Sequence, residues 1–309
     1  MHAVIQVLVL FLIMFAGYLC SKTKIAGQEA ADAMSPIIMN VTLPCLLLNA
    51  FQRPFSAELL GEAGVSVAAA LIMYGIALPL AIAYPHIIRT RGQERGVHRY
   101  ALLFSNCSFI GYPMVEAILG PQYLFHACLF NIFYNLFAFT LGAWVIAKEG
   151  DKKMKLSWQT FVNPCVMATV AGFLLFIFSV SLPSPLLKGI KMTGDMTTPM
   201  SMLVTGIVLA RVKPRLVWGQ WKIYVTVFIR LILLPVLVGL ACVLFGIRRD
   251  LLVLAVIITA MPAATTTSII SALYRAAAGE GSALVFMSTL LSMATIPILV
   301  FVLQAIKLL

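Results

Sequence analysis

Charge is scarce in this chain. Only 11% of its 309 residues are Asp, Glu, Lys or Arg, while 61% are hydrophobic; a soluble domain carries about 25% charged residues. A water-facing surface cannot be built from so little, so the composition reads as that of an integral membrane protein. Metal- and disulfide-forming patterns are missing as well. The six cysteines (Cys20, Cys45, Cys107, Cys128, Cys165 and Cys242) fall in or beside apolar runs, with no CxxC pair and no Cys/His cluster. That argues against a zinc site and a disulfide framework and leaves small buried hydrophobes. No G-x4-G-K-[ST] loop, no H-E-x-x-H and no nucleophile–base pair is visible, so ATP-driven work, metalloprotease chemistry and enzyme function generally are not expected. No cofactor is expected either. The first twenty residues hold no Lys or Arg before their apolar run and no A-x-A-like site after it, so they read as a first span rather than a signal peptide.

What charge there is leans basic, 22 Lys and Arg against 11 Asp and Glu. The basic residues sit in short loops between apolar runs. That is the distribution of positive-inside loops, not of a phosphate-reading surface, so nucleic acid is not an expected partner. A helix needs about 20 apolar residues to cross roughly 30 Å of hydrocarbon. Ten segments meet that need: 3–20, 34–52, 60–87, 99–119, 122–147, 161–180, 191–211, 218–246, 250–274 and 281–306. Fifteen of the basic residues lie in the connections after spans 1, 3, 5, 7 and 9, six lie on the other side, and Arg230 falls within span 8. The bias places both termini outside the cytoplasm of a multi-pass protein of the cell membrane.

The basic loop 148–160 divides the chain into a first repeat (1–147) and a second (161–309). Five spans is an odd number, so the second repeat enters the membrane upside down. Proline landmarks then align: Pro36 and Pro44 in span 2 with Pro199 in span 7, and Pro113 in span 4 with Pro262 in span 9. The expected fold is all-α, ten transmembrane helices as a 5+5 inverted repeat, with helices 4 and 9 broken. A broken helix in a bilayer frees carbonyls that only protein or a wet cavity can receive.

The motifs Asn106-x4-Gly111-x-Pro113 with Gly120, Asn163-Pro164, Thr198-Pro199 with Gly206, and Met261-Pro262-Ala263-Ala264 resemble those of the auxin efflux carrier family. Asn40 with Leu43-Pro44 and Arg230 with Pro235 fit the same pattern. The likeness covers nearly the whole chain. It is to the short bacterial members, which include permeases assigned to malonate and malate, because the long hydrophilic loop of the plant exporters is absent. The resemblance implies a fold similar to that of bile acid:sodium symporters, with spans 4 and 9 crossing at their broken centres. It also implies a scaffold of spans 1, 2, 6 and 7 that forms a homodimer, and a transport domain of spans 3–5 and 8–10.

Pro113 and Pro262 each suit the first turn of a second half-helix, where a missing N–H is no loss. Such ends turn free N–H groups and partial positive charge toward the crossing and favour an anionic substrate. The candidate substrate-binding residues are Asn106, Ser108, Gly111, Tyr112, Pro113, Pro262, Ala263, Thr265, Thr266 and Arg230. Asn106, Ser108 and the threonines can hydrogen-bond either a carboxylate or the freed backbone without burying a charge. Arg230, about 18 Å into span 8 at 1.5 Å per residue, either pairs a substrate carboxylate or supports the crossing. Glu116 is a candidate for coupling, set against a capping role. His2, His86 and His98 read as terminal or loop residues and His126 as structural.

The function expected is a secondary transporter that moves a small carboxylate (malonate, malate or an auxin-like acid) by alternating access. An anion channel or facilitator and a membrane sensor on the same fold are the alternatives. A reporter active only in the cytoplasm, fused to the C-terminus, should stay silent; activity there would reverse the topology.

Overall fold

The computed structural model describes residues 2–90, 92–150, 163–211 and 219–309. Every regular element among them is helical. In chain order these are α1 (His2–Lys22), α2 (Gln28–Ile37), α3 (Leu43–Ala50), α4 (Ala57–Ile87), α5 (Gln93–Leu103), α6 (Tyr112–Leu119), α7 (Leu124–Phe130), α8 (Ile132–Phe137) and α9 (Ala143–Ala147). After residue 162 follow α10 (Pro164–Ile177), α11 (Ser184–Asp195), α12 (Thr197–Leu209), α13 (Trp221–Phe228), α14 (Leu234–Leu244), α15 (Arg249–Thr259), α16 (Thr266–Leu273) and α17 (Ala278–Ala305). From residue 151 on, the expected basic loop lies outside the described residues.

Among the described residues, five helical runs are long and apolar enough to cross a membrane: Ala3–Lys22, Gln28–Ala50, Ala57–Ile87, Trp221–Leu244 and Ala278–Ala305. The pair Pro121–Phe130 and Ile132–Ala147, bent by 41°, makes a sixth if counted as one span. On α1, Ile5, Leu8, Leu12, Phe15 and Leu19 are exposed at helical spacing, a stripe suited to lipid. The remaining expected segments are helical but shorter or interrupted. The fourth is split between α5 and α6, the ninth between α15 and α16, and the seventh between α11 and α12.

Proline leaves a recurrent local mark. A five-residue π turn covers Ile38–Thr42, Cys107–Gly111 and Ile229–Leu233, and Pro44, Pro113 and Pro235 stand at the second position of the α-helix that follows each. A proline ring collides with the carbonyl one turn back and offers it no N–H; widening that turn relieves the collision while keeping the helix continuous. Pro164 is handled differently. It opens α10 behind Asn163, whose side-chain oxygen accepts from Val166 N at 2.8 Å as an N-cap.

The chain forms two compact units. Unit 1 is Met1–Val67, Ser108–Ile132 and Val162–Arg211; unit 2 is Ala68–Cys107, Phe133–Phe161 and Val212–Leu309. In unit 1, α1 and α12 approach through glycine. A Cβ on Gly17 would meet the Leu203 backbone, and one on Gly206 would meet Met14 O and, at 2.7 Å, Tyr18 N. In hydrocarbon there is little hydrophobic drive between helices, so close backbone approach through small residues is what holds such a pair. The core of unit 2 packs Val97 and Ala101 of α5 against Ile223, Val227 and Leu231 and against Ala283 and Leu284 of α17, with Ala263 included.

Gly206→Val should therefore lower the melting temperature in detergent by several degrees, since overpacking costs about 1–3 kcal/mol. Gly189→Ala, where nothing lies within 4 Å, should leave it unchanged. Equal behaviour of the two would remove the glycine contact as a determinant.

Candidate functional site

The two breaks meet in unit 2. Met261 precedes a proline and is thereby turned away from helical backbone, so α15 stops at Thr259. Pro262 thus lies in the gap between α15 and α16, not in the first turn of the second half-helix as expected. The other break also differs from expectation. It falls at Phe104-Ser105-Asn106, where Phe104 is extended (φ −115°, ψ 116°) and helix resumes as the π turn at Cys107. Gly111 and Pro113 lie within the resumed helix, because the π turn absorbs the proline. Ser105 and Asn106, residues that compete with a helix for its own backbone groups, stand where it opens.

The freed backbone groups satisfy each other. Ser105 and Ala263 form an antiparallel bridge; Asn106 N donates to Pro262 O at 2.8 Å and Ala264 N to Phe104 O at 3.0 Å. Ala263 N donates to Ser288 Oγ on α17 at 3.1 Å. Ser105, Asn106, Ala263 and Ala264 are all buried. Each backbone group left unpaired in such a place would cost several kcal/mol, which is why the extended segments pair.

Arg230 secures this crossing. It sits in the π turn Ile229–Leu233 and is 1% exposed. Its Nη1 donates to Leu102 O at 2.9 Å and its Nε to Met261 O at 3.3 Å. Leu102 lies in the last turn of α5, where unsatisfied acceptors and partial negative charge collect, and Met261 lies in the open segment just past α15. One guanidinium thus serves a helix terminus and the break in the other helix. Its Nη2 is buried and has no hydrogen-bond partner among the described residues.

Thr266 opens α16 and is held by aromatic hydroxyls: Tyr100 OH donates to its Oγ1 at 2.9 Å, and Tyr134 OH lies 3.3 Å from it. Tyr100 in turn packs on Phe104, with ring centroids 4.6 Å apart. Thr265 occupies the N-cap position of α16 without a side-chain capping bond. Oγ1 of the fully buried Thr267 has no partner among the described residues.

The structure thus brings Asn106, Pro262, Ala263, Thr265, Thr266 and Arg230 to one crossing. The other expected site residues belong to unit 1. Ser108 and Gly111 lie in the π turn, and the buried Tyr112 and Pro113 begin α6. Glu116, one turn further, accepts from Thr198 Oγ1 at 3.1 Å.

Sequence reasoning also misplaced a histidine. His98 is not in a loop but wholly buried in α5, with Thr226 Oγ1 2.6 Å from Nδ1 and Glu280 Oε1 2.7 Å from Nε2. The signal for it was Gln93-Glu94 behind Gly92, an acidic helix start that an apolar threshold passes over.

The family model for membrane transport proteins matches residues 2–300. A protein of Rhizobium meliloti named "Putative malonate transporter" is 25% identical over 313 residues, covering 97% of this chain and 95% of the relative. An uncharacterized transporter of Methanothermobacter thermautotrophicus is 24% identical, with 96% of each chain covered. The uncharacterized transporter YfdV of Escherichia coli is 21% identical with the same coverage.

Arg230→Met should lower the melting temperature in detergent by several degrees, because two buried carbonyls lose a charged donor at a cost of about 3 kcal/mol. Tyr100→Phe, which removes one neutral bond, should cost about 1 kcal/mol. An undiminished melting temperature in Arg230→Met would mean that other groups satisfy those carbonyls.

Proposed function

The chain belongs to the membrane transport protein family, the auxin efflux carrier family that its motifs resemble, and from that membership we propose that it carries a small carboxylate across the cell membrane by alternating access. Malonate and malate are the first substrates to consider, given the name of the Rhizobium relative.

The observation that carries the reading is Arg230. A buried guanidinium with a spare donor, beside the crossing of two broken helices, is a receptor for an anion. Two of its five N–H donors hold the crossing together, and Nη2 can bond a carboxylate oxygen. The supporting and substrate-binding roles weighed for this residue are therefore compatible. The uncharged hydroxyl groups at the start of α16 add donors without adding charge. In this reading Glu116, bonded to Thr198, is a positioning group of the other unit.

Ten crossings arranged as an inverted repeat are part of the proposal. Support comes from which connections meet. If spans alternate, connections after odd spans share one side and those after even spans share the other. On the first side, Arg211 Nη1 donates to Gln28 at 3.1 Å, Ala277 N to Gln93 at 3.2 Å, and Lys222 pairs with Glu94 at 2.9 Å. On the second, Arg53 Nη1 donates to Gln122 O at 3.0 Å, Leu182 N to Gln52 at 3.1 Å, and Arg249 Nε to Leu308 O at 3.3 Å. Each bond joins like with like, as ten alternating crossings require. The first side is the basic one and on this reading faces the cytoplasm; both termini face away from it. A homodimer through spans 1, 2, 6 and 7 completes the proposal.

Purified protein in liposomes should take up labelled malonate or malate with saturable kinetics. Arg230→Lys keeps a cation but loses the forked donor set, and it should raise KM about tenfold or more, the worth of one charge-assisted bond. An unchanged KM would remove Arg230 from substrate binding. Transport of neither acid would shift the search to monocarboxylates and indole-type acids.

A further inference from the structure

Arg230 brings one positive charge to the crossing, and among the described residues it is the only buried Lys, Arg, Asp or Glu. Its electrostatic neighbours are Cys107 at the first break and Tyr74 of α4, a thiol and a phenol. No carboxylate among the described residues pairs with it. The π turn that carries Arg230 packs against α5, α13, α14 and α17. The charged groups on those helices have partners of their own. Lys222 of α13 pairs with Glu94 of α5 at 2.9 Å, and Glu280 of α17 lies 2.7 Å from His98 of α5. Arg95 Nη2 donates to Thr90 O, and Arg99 Nη2 lies 3.4 Å from His86. The run Leu234–Leu244 that forms α14 holds no charged residue.

Helix termini add nothing to the sum. Two N-terminal ends open at the crossing, at Cys107 and Thr266, and the C-terminal ends of α5 and α15 close there. Each end carries about half an elementary charge, positive at an N-terminus and negative at a C-terminus, so the four cancel. The backbone donors of the open segments are committed as well. The N–H groups of Asn106, Ala263 and Ala264 bond Pro262 O, Ser288 Oγ and Phe104 O.

One positive charge balances one carboxylate. A fully ionised dicarboxylate brings two, and the second would stand in a buried place with no cation opposite it. A carboxylate so placed takes up a proton instead. The resulting carboxyl has an O–H to donate and a carbonyl that accepts. A guanidinium only donates, whereas a hydroxyl does both. Thr265, Thr266 and the fully buried Thr267 supply hydroxyls at the start of α16, and Thr267 Oγ1 has no partner among the described residues.

We infer that the site selects a singly charged carboxylate. It takes malonate or malate only as the hydrogen dicarboxylate, with one carboxylate against Arg230 Nη2 and the other carboxyl protonated. The inference rests on the transport reading above and gives the charge state of its substrate. One proton crosses with each molecule: a dianion takes it from water on the side of entry and returns it on the side of release. The proton rides on the substrate, so coupling to a pH gradient needs no titrating side chain in the protein.

The test uses wild-type protein in liposomes and malonamate, the monoamide of malonic acid. Its amide has the shape, a donor and the acceptor of a protonated carboxyl, and its charge does not change over the pH range used. KM for total malonate and the inhibition constant of malonamate are measured together at pH values above the second ionisation of malonic acid. Any titration of the protein acts on both, so their ratio isolates the substrate. The ratio should rise about tenfold per pH unit, the factor by which the hydrogen malonate fraction falls. A ratio that stays flat would mean that the dianion binds; it would overturn the single-charge site and leave the carrier reading intact. Failure of malonamate to compete with transported malonate would overturn it likewise. Uptake of monocarboxylates, with none of malonate or malate at any pH, would keep the single-charge site and change the named substrates. If no carboxylate of either charge is taken up, the transport reading falls and the substrate assignment falls with it.

Discussion

A backbone polar group removed from water must find a partner, and the structure of unit 2 is arranged around that demand. Two helices are interrupted where neither water nor their own turns can serve them. They solve the problem by pairing with each other, Asn106 N to Pro262 O and Ala264 N to Phe104 O, as two short extended strands would. What this leaves over is a set of acceptors in the last turn of α5 and in the open segment after α15. Arg230 takes one from each. An arginine buried to 1% exposure is expensive in isolation. Here its donors meet a carbonyl at the C-terminus of α5, whose dipole presents the opposite sign, and a second carbonyl in the open segment after α15, and that is the condition under which such a residue persists.

The same arrangement is what the proposed binding role of Arg230 draws on. The guanidinium has five donors in a fixed plane. Two are used by the crossing, and Nη2 is left facing no acceptor among the described residues. On the proposed reading, a ligand at this point would add no new buried charge; it would complete the hydrogen bonding of one already there. Thr266, fixed by Tyr100 and Tyr134, shows the complementary strategy, a polar group whose orientation is set by aromatic neighbours before any ligand arrives.

Two of the ways in which this chain uses proline contrast. At Pro44, Pro113 and Pro235 a π turn precedes it and the helix bends without breaking. At Pro262 the helix ends. The difference lies in the neighbours. Met261-Pro262-Ala263-Ala264 has an extended partner at Phe104-Ser105-Asn106 to receive its backbone, and such a partner is what makes an open segment affordable inside a dry core. The first break has no proline at all, so a reading that follows prolines finds the right segment but places its opening at Gly111–Pro113, several residues too late.

Composition alone determined that this is a helical membrane protein, because 11% charge cannot cover a soluble surface and an apolar chain must pair its backbone within each segment. Motif order was enough for the family, and the position of Arg230 within an apolar run marked it as a residue that needs partners. Asn163-Pro164 was legible as a helix start for the same local reason that it caps α10. Tertiary structure decided the rest. Where the helices open depends on which extended segment lies opposite; what Arg230 holds depends on two carbonyls 128 and 31 residues away. His98 looked like a loop residue because its own neighbours are polar. Thr226 and Glu280, which bond its two ring nitrogens, come from helices 128 and 182 residues distant. Local sequence can specify which groups a break releases or a side chain offers; only the packing of distant segments can specify what receives them.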